Sequence, residues 1–372
     1  MTEGELELVG SQEAARALRI ELARLTSAAP DVGRPRPRAI EPHRVGVPFD
    51  PVLADLLLTY ARTPSRLVWI WARVEARRLD DLDRGLRSSL PSAPLSGRRT
   101  FTVDVRSKGR FEAGPLQLRG LVRRVIEDRW GWQLDPDAPD VSIAVRSLKD
   151  GVSVGADLGG DLTARGYRPP RQVAPIRENL AAQMVALSGW FPDRDPLVDP
   201  FAGSGTLLAE AEGWARGLPA RAPGRPWIPH VDRGALFADA SFRLRGLEAD
   251  PRSRAGLDAT LKGKSVDVEP DDFRNVDPTE LAGQLGDRGL VLTNPPYGVR
   301  IELETDELDE LYADLAAWWR ALGPGWRLGL IGLREPVERA FGDRPRMKKP
   351  MRNGDLRTFF YLFEQEAARQ RG

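Results

Sequence analysis

The stretch Leu292-Thr-Asn-Pro-Pro-Tyr-Gly298 holds residue types suited to one demanding reaction. An exocyclic amine on a nucleic-acid base is a poor nucleophile, because its lone pair is delocalised into the ring. The side-chain oxygen of Asn294 and the backbone carbonyl of Pro295 can accept hydrogen bonds from the two amine hydrogens. That orients the amine and draws its lone pair toward an incoming methyl donor. Pro295 and Pro296 stiffen the loop, and Tyr297 offers a π face to an unstacked base. Two prolines after a strand can also be purely structural, but their setting in this chain favours chemistry. Asn294, Pro295, Pro296 and Tyr297 are the candidate catalytic residues.

Three upstream segments could hold the donor. In Leu197-Val-Asp-Pro-Phe-Ala-Gly-Ser-Gly-Thr-Leu207 a short apolar run enters a glycine turn that opens a helix. Gly203 and Gly205 would let the backbone approach a ligand closely, and the helix start offers free N–H groups. Asp199, Ala202 and Thr206 complete this candidate loop. It lacks the third glycine of a dinucleotide fingerprint and the Gly-Lys-Ser/Thr of a P-loop, so nicotinamide cofactors and ATP fit poorly. Glu248, with Asp250 in reserve, closes the next apolar segment and could accept hydrogen bonds from ribose hydroxyls. In Glu269-Pro-Asp-Asp-Phe273, Asp272 could accept from an adenine amine while Phe273 stacks beside the ring. Each segment alone is also compatible with an ordinary turn; their succession ahead of Asn294 gives them meaning.

The elements that must position these residues alternate between helix and strand, the pattern of a doubly wound α/β domain. A helix is predicted over 177–188 and another from the glycine turn to about residue 215, with a third over 251–261. Strands are predicted at 196–199, up to 248, and at 265–268, 289–293, 327–331 and 358–363. Ahead of them the pattern is mixed α and β. Helices are expected over 11–25, 52–60 and 116–130, and strands over 66–74, 100–105, 140–145 and 151–158. The Pro- and Arg-rich tract 28–51 reads as loop, 164–170 as a linker, and 217–231 as an inserted loop.

Composition narrows the classes. There is no cysteine, and His43 and His230 stand far apart, so neither a disulfide framework nor a metal site is expected. Hydrophobic residues are 41% of the chain with no run long enough for a membrane span, and the acidic start lacks a secretory layout. A cytoplasmic location follows as an expectation. The net charge of +1 is neutral on nucleic acid, but basic residues cluster in 101–132 and again in 344–357. Such patches can neutralise phosphates or simply form a solvated surface.

Together these motifs resemble class I S-adenosylmethionine-dependent amino-methyltransferases, and more specifically the THUMP-domain RNA guanine-N2 methyltransferases of large-subunit rRNA or tRNA. Asp137-Ala-Pro-Asp-Val141, Ala156-Asp-Leu158 and Arg165-Gly-Tyr-Arg168 resemble the end of the THUMP domain and its exit. Ala174-Pro-Ile-Arg-Glu-Asn-Leu180 is similar to the family's lead-in helix, and Met351-Arg-Asn-Gly-Asp-Leu356 to its closing Asn-Gly turn. The resemblance implies a ferredoxin-like domain (1–88), a THUMP RNA-binding domain (89–167) and a seven-stranded Rossmann-like methyltransferase domain (168–372). It implies S-adenosylmethionine as cofactor, structured RNA as partner and a monomer without membrane attachment. Lys108, Arg110, Arg165, Arg168, Lys348, Lys349 and Arg352 become candidate phosphate contacts. Two other readings stay open: an adenine-N6 methyltransferase sharing the Asn-Pro-Pro-Tyr chemistry, and a non-catalytic RNA-binding or ribosome-assembly factor. The chain holds one methyltransferase segment, which leaves tRNA and rRNA both open.

Overall fold

The computed structural model describes residues 4–106, 111, 113–167, 176–222, 224–297, 305–342 and 344–365. Two sheets organise them. The first part of the chain runs β1 (Glu5–Val9), α1 (Ala15–Ala28), β2 (Arg38–Glu41), β3 (Arg44–Pro48), α2 (Pro51–Tyr60) and β4 (Arg66–Glu75). It continues with α3 (Leu79–Ser89), β5 (Thr100–Arg106), α4 (Pro115–Trp130), β6 (Gln133–Leu134), β7 (Val141–Leu148) and β8 (Gly151–Asp157). Their eight strands form one sheet in the order β2-β3-β1-β4-β8-β7-β5-β6. The boundary expected near residue 88 therefore lies within a continuous sheet, joined where β4 pairs antiparallel with β8.

Local signals explain several ends. Asp50 caps α2 by accepting from the Leu53 amide at 2.8 Å, with Pro51 preorganised in the first turn. Gly131 closes α4 in the left-handed region. Along β7, Val141, Ile143 and Val145 are buried while the residues between them are not, so a single face packs on the helices. The tract 28–51, expected to be loop, instead holds β2 and β3. Val45 and Val47 anchor β3 in the core, and β2 lies exposed at the sheet edge. An edge strand leaves one side free of ladder bonds and tolerates flanking prolines.

The second part contains α5 (Glu178–Ser188), β9 (Leu197–Asp199), α6 (Thr206–Arg216), β10 (Leu244–Leu247), α7 (Arg254–Leu261), β11 (Asp267–Glu269) and α8 (Pro278–Leu285). It ends with β12 (Arg288–Thr293), α9 (Thr305–Ala321), β13 (Gly325–Gly332), α10 (Arg334–Phe341), β14 (Met347–Asn353) and β15 (Leu356–Phe363). The seven strands are ordered β11-β10-β9-β12-β13-β15-β14, parallel from β11 to β13, with β15 antiparallel to both its neighbours. Alternation splits the side chains between two cores. Leu197, Leu290 and Leu292 meet α5 and α6, while Val198, Val291 and Leu328 meet α8 and α9. The sheet is thus covered on both faces, as parallel sheets require.

Buried charges join the two parts. Glu210 on α6 is fully buried, paired with Arg62 at 3.1 Å and Arg165 at 3.4 Å, and it accepts from the Tyr167 hydroxyl at 2.8 Å. Burial alone would raise its carboxyl, but Arg165 and Arg62 hold it below the usual range. The 217–231 segment, read as an inserted loop, crosses back over the first sheet. The Ala220 amide donates to the Thr59 carbonyl at 2.7 Å, Ile228 enters the first core, and His230 meets Asp55 at 2.8 Å. Among the described residues no helix is long and apolar enough to cross a membrane.

Candidate active site

The strand order reverses at β9, whose neighbours β10 and β12 lead in opposite directions across the sheet. Loops leaving the carboxyl ends of strands diverge at such a switch point and open a crevice. A cleft of about 290 Å³ lies there. Asp199, Ala202, Gly203, Thr206, Glu248, Asp250, Asp272, Phe273, Asn294, Pro295, Pro296 and Tyr297 all line it. Four successive parallel strands thus bring together segments that are up to a hundred residues apart in the chain.

Asp199 is 1% exposed. It accepts from the Thr293 hydroxyl at 2.6 Å and the Phe201 amide at 3.1 Å, so one carboxylate ties the donor-side turn to the strand preceding Asn294. Burial pushes its carboxyl up to about 7. Glu248 accepts from the Gly203 and Asp250 amides, and burial raises it as well. Each oxygen of Glu248 keeps a further lone pair for a hydroxyl donor.

The two glycines divide their work. Gly203 has φ +53° and nothing nearer than 3.9 Å to an added Cβ, leaving an open cradle. Gly205 does not line the cleft, which corrects its expected ligand-facing role. With φ +76°, its Cβ would lie 2.9 Å from Leu261 Cγ and 3.0 Å from Leu257 Cδ1. It serves the close approach of α6 and α7.

Asp272 and Asp250 line the cleft with their charges already engaged. Asp272 pairs with Arg274 at 2.7 Å, and that hydrogen bond holds its carboxyl below the usual range. Asp250 is held low in the same way by Arg252 at 2.9 Å. Phe273 is 1% exposed and wedged between Phe201 and Trp318, at 5.2 and 5.9 Å between ring centroids. Phe273 thus reaches the cleft only from within the core, and Phe201, half-buried on the cleft wall, offers the more accessible face.

At the other end, the Tyr297 hydroxyl donates to Asn294 Oδ1. The buried Tyr312 of α9 donates to the Pro296 carbonyl at 3.2 Å, which fixes the Pro-Pro turn from outside. Asn353, Ile176 and Ser204 line the cleft without having been singled out as site residues. Asn353 stood within the quoted Asn-Gly motif, but only the sheet pairing of β14 and β15 carries it to the site.

Among the expected phosphate contacts, Lys108, Arg110 and Arg168 lie outside the described residues. Arg165 is corrected: its side chain is 1% exposed, paired with Glu210 and donating to backbone carbonyls, so it cannot meet a phosphate in this fold. Lys348 is turned to Glu338 and lies over the Phe359 and Tyr361 rings. Arg352 is exposed and Lys349 half-buried, next to the cleft-lining Asn353. Among the described residues no cluster of His, Asp or Glu could hold a metal.

The cleft fits S-adenosylmethionine. Gly203 would provide a backbone cradle, Glu248 an acceptor for hydroxyls, Phe201 and Ile176 apolar walls, and Asp199 with Glu248, when ionised, a negative setting for a cationic sulfur. The strand order, the glycine turn with its acidic partner, and Asn-Pro-Pro-Tyr in one crevice define a Rossmann-like methyltransferase fold. The chain belongs to the family described as UPF0020, the RMKL-like methyltransferase domain, whose model matches residues 165–360. It is 31% identical over 338 residues to a protein named ribosomal RNA large subunit methyltransferase K/L from Allochromatium vinosum, covering 82% of this chain and 45% of that one. A protein of the same name from Shewanella amazonensis is 29% identical over 358 residues, covering 88% and 49%. The chain thus spans about half the length of the curated relatives it matches. The crystal structure of SMU.472, described as a candidate methyltransferase complexed with SAH, matches 99% of both chains with a TM-score of 0.78 at 22% identity, a likeness of fold.

Proposed function

We propose that the protein transfers a methyl group from S-adenosylmethionine to the exocyclic N2 amine of a guanosine in structured RNA, either large-subunit rRNA or tRNA. The observation that carries this reading is Asn294 in the same cleft as the Gly203 turn and Glu248, at the carboxyl ends of adjacent strands. When bound, the cofactor supplies an electrophilic methyl group on a cationic sulfur. The chain's own residues bind and orient. Asn294 Oδ1 accepts one hydrogen bond from Tyr297 and keeps a second lone pair for a substrate amine hydrogen. Pro295 would supply a further carbonyl, and the partly exposed Tyr297 ring a stacking surface. No strong base is required, because the amine becomes acidic as it is alkylated.

The relatives' names support an RNA substrate. For the first 167 residues we propose a ferredoxin-like domain (1–88) followed by a THUMP domain (89–167). The order β1-α1-β2-β3-α2-β4, with strands arranged β2-β3-β1-β4, supports the first assignment. The third domain, 168–372, would carry the catalysis. Arg352, exposed and adjacent to the cleft-lining Asn353, and the half-buried Lys349 are proposed to meet RNA. We propose action as a cytoplasmic monomer.

The test is incubation of the wild type and Asn294→Ala with radiolabelled S-adenosylmethionine and separate rRNA and tRNA pools lacking the modification, followed by nucleoside mass analysis. N2-methylguanosine from the wild type alone is the expected product. N6-methyladenosine would overturn the base assignment, and no label in either pool would overturn the activity.

A further inference from the structure

The Asn-Gly turn between β14 and β15 reaches the cleft from the far edge of the sheet. Asn353, the last residue of β14, is paired across to Leu356 and is 6% exposed. Gly354 follows with φ +63°, the conformation that a tight two-residue hairpin turn asks of its first central residue. The buried Met351, whose carbonyl accepts from the Thr358 hydroxyl, holds the strand on the core side. The Asn353 amide is therefore presented from a fixed backbone.

Its Nδ2 donates to the Tyr297 hydroxyl oxygen at 3.3 Å, and that hydroxyl donates to Asn294 Oδ1. The direction of this relay follows from the groups. An amide nitrogen can only donate, so the phenol oxygen is the acceptor at that contact and its single proton is left for Asn294. Hydrogen bonds in series polarise one another, and the relay occupies one lone pair of the Asn294 oxygen while leaving the other open to the cleft. The tyrosine is held by a strand remote in sequence, in addition to its own loop.

We propose that Asn353 is a positioning residue for methyl transfer: it fixes the Tyr297 hydroxyl and ring, and through them the orientation of the Asn294 acceptor. This rests on the methyl-transfer reading above for its consequence in catalysis, but the relay itself can be read without RNA. Asn353→Asp keeps the shape of the side chain and loses the donor, because an ionised carboxylate only accepts. Asn353→Ala removes both.

The first measurement uses protein labelled with 15N-asparagine. The Asn294 side-chain amide signals, assigned through Asn294→Ala, are expected to shift in Tyr297→Phe, Asn353→Ala and Asn353→Asp alike. Unmoved Asn294 signals in both Asn353 variants would overturn the relay, whatever the substrate. The second measurement is single-turnover methylation of unmodified rRNA and tRNA transcripts. Both Asn353 variants should slow it by about three- to tenfold, the range expected for one hydrogen bond, with S-adenosylmethionine affinity within about twofold of wild type. Adding Asn353→Ala to Tyr297→Phe should give no further loss. A full rate in Asn353→Asp, or equal losses in both backgrounds, would overturn the positioning role. If neither transcript is methylated by the wild type, the RNA reading fails separately and the spectra still judge the relay.

Discussion

Replacing Asp199 by Asn should make the protein more stable at alkaline pH while leaving the hydrogen bonds around it in place. Asn keeps an oxygen that can accept from the Thr293 hydroxyl and the Phe201 amide, the two partners of Asp199. What it removes is a carboxyl whose value rises from 3.8 to about 7 on burial. An acid raised in the folded state holds a proton that the unfolded chain releases between those two values. Folding then loses stability as pH climbs from about 4 to about 7, and stays lower above that. Roughly three units at 1.36 kcal/mol per unit amount to about 4 kcal/mol. Urea unfolding of the wild type and Asp199→Asn at intervals from pH 4.5 to 8.5 isolates this group, because every other carboxyl is common to both. The difference in stability should widen in favour of the variant by about 3–4 kcal/mol up to pH 7.5 and then level off. A difference that stays flat, or levels off below pH 5, would refute the claim that burial raises the Asp199 carboxyl.

A cationic ligand favours the ionised forms of Asp199 and Glu248, both raised by burial. S-adenosylmethionine affinity should therefore increase from pH 6 to 8, whereas the uncharged sulfur of S-adenosylhomocysteine should show little slope; calorimetry with equal slopes for the two would exclude the electrostatic role. Glu210→Ala leaves Arg62 and Arg165 buried without their anion, and should cost about 3–5 kcal/mol in denaturant unfolding. Gly205→Ala combines a left-handed φ with a Cβ 2.9 Å from Leu261, and should lower stability by about 1–3 kcal/mol. Gly203→Ala shares the backbone strain but adds its methyl to open space, so its larger effect should fall on cofactor binding, measurable on the same samples.

Much of the catalytic sheet was legible because short apolar runs bounded by glycine, proline and acids mark parallel strands even without knowledge of their neighbours. The glycine turn, Glu248 and Asn-Pro-Pro-Tyr were readable for the same reason: each sits at the end of such a run, where the chain turns at the cleft. The tract holding β2 and β3 was not readable, because prolines and arginines are weak strand formers until an adjacent β1 offers ladder partners. β14, read as a basic patch leading into an Asn-Gly turn and not as a strand, likewise owes its form to β15. Side-chain roles depended still more on packing. Nothing local marks Arg165 as a buried partner of Glu210 rather than a surface cation, or Gly205 as a contact for α7. Phe273 belongs to the core because Phe201 and Trp318 close over it. The residue types and their order along the chain determined which chemistry was available. Only the folding of β14 against β15 could bring Asn353 to Tyr297, because a hydrogen bond between residues so far apart exists in three dimensions alone.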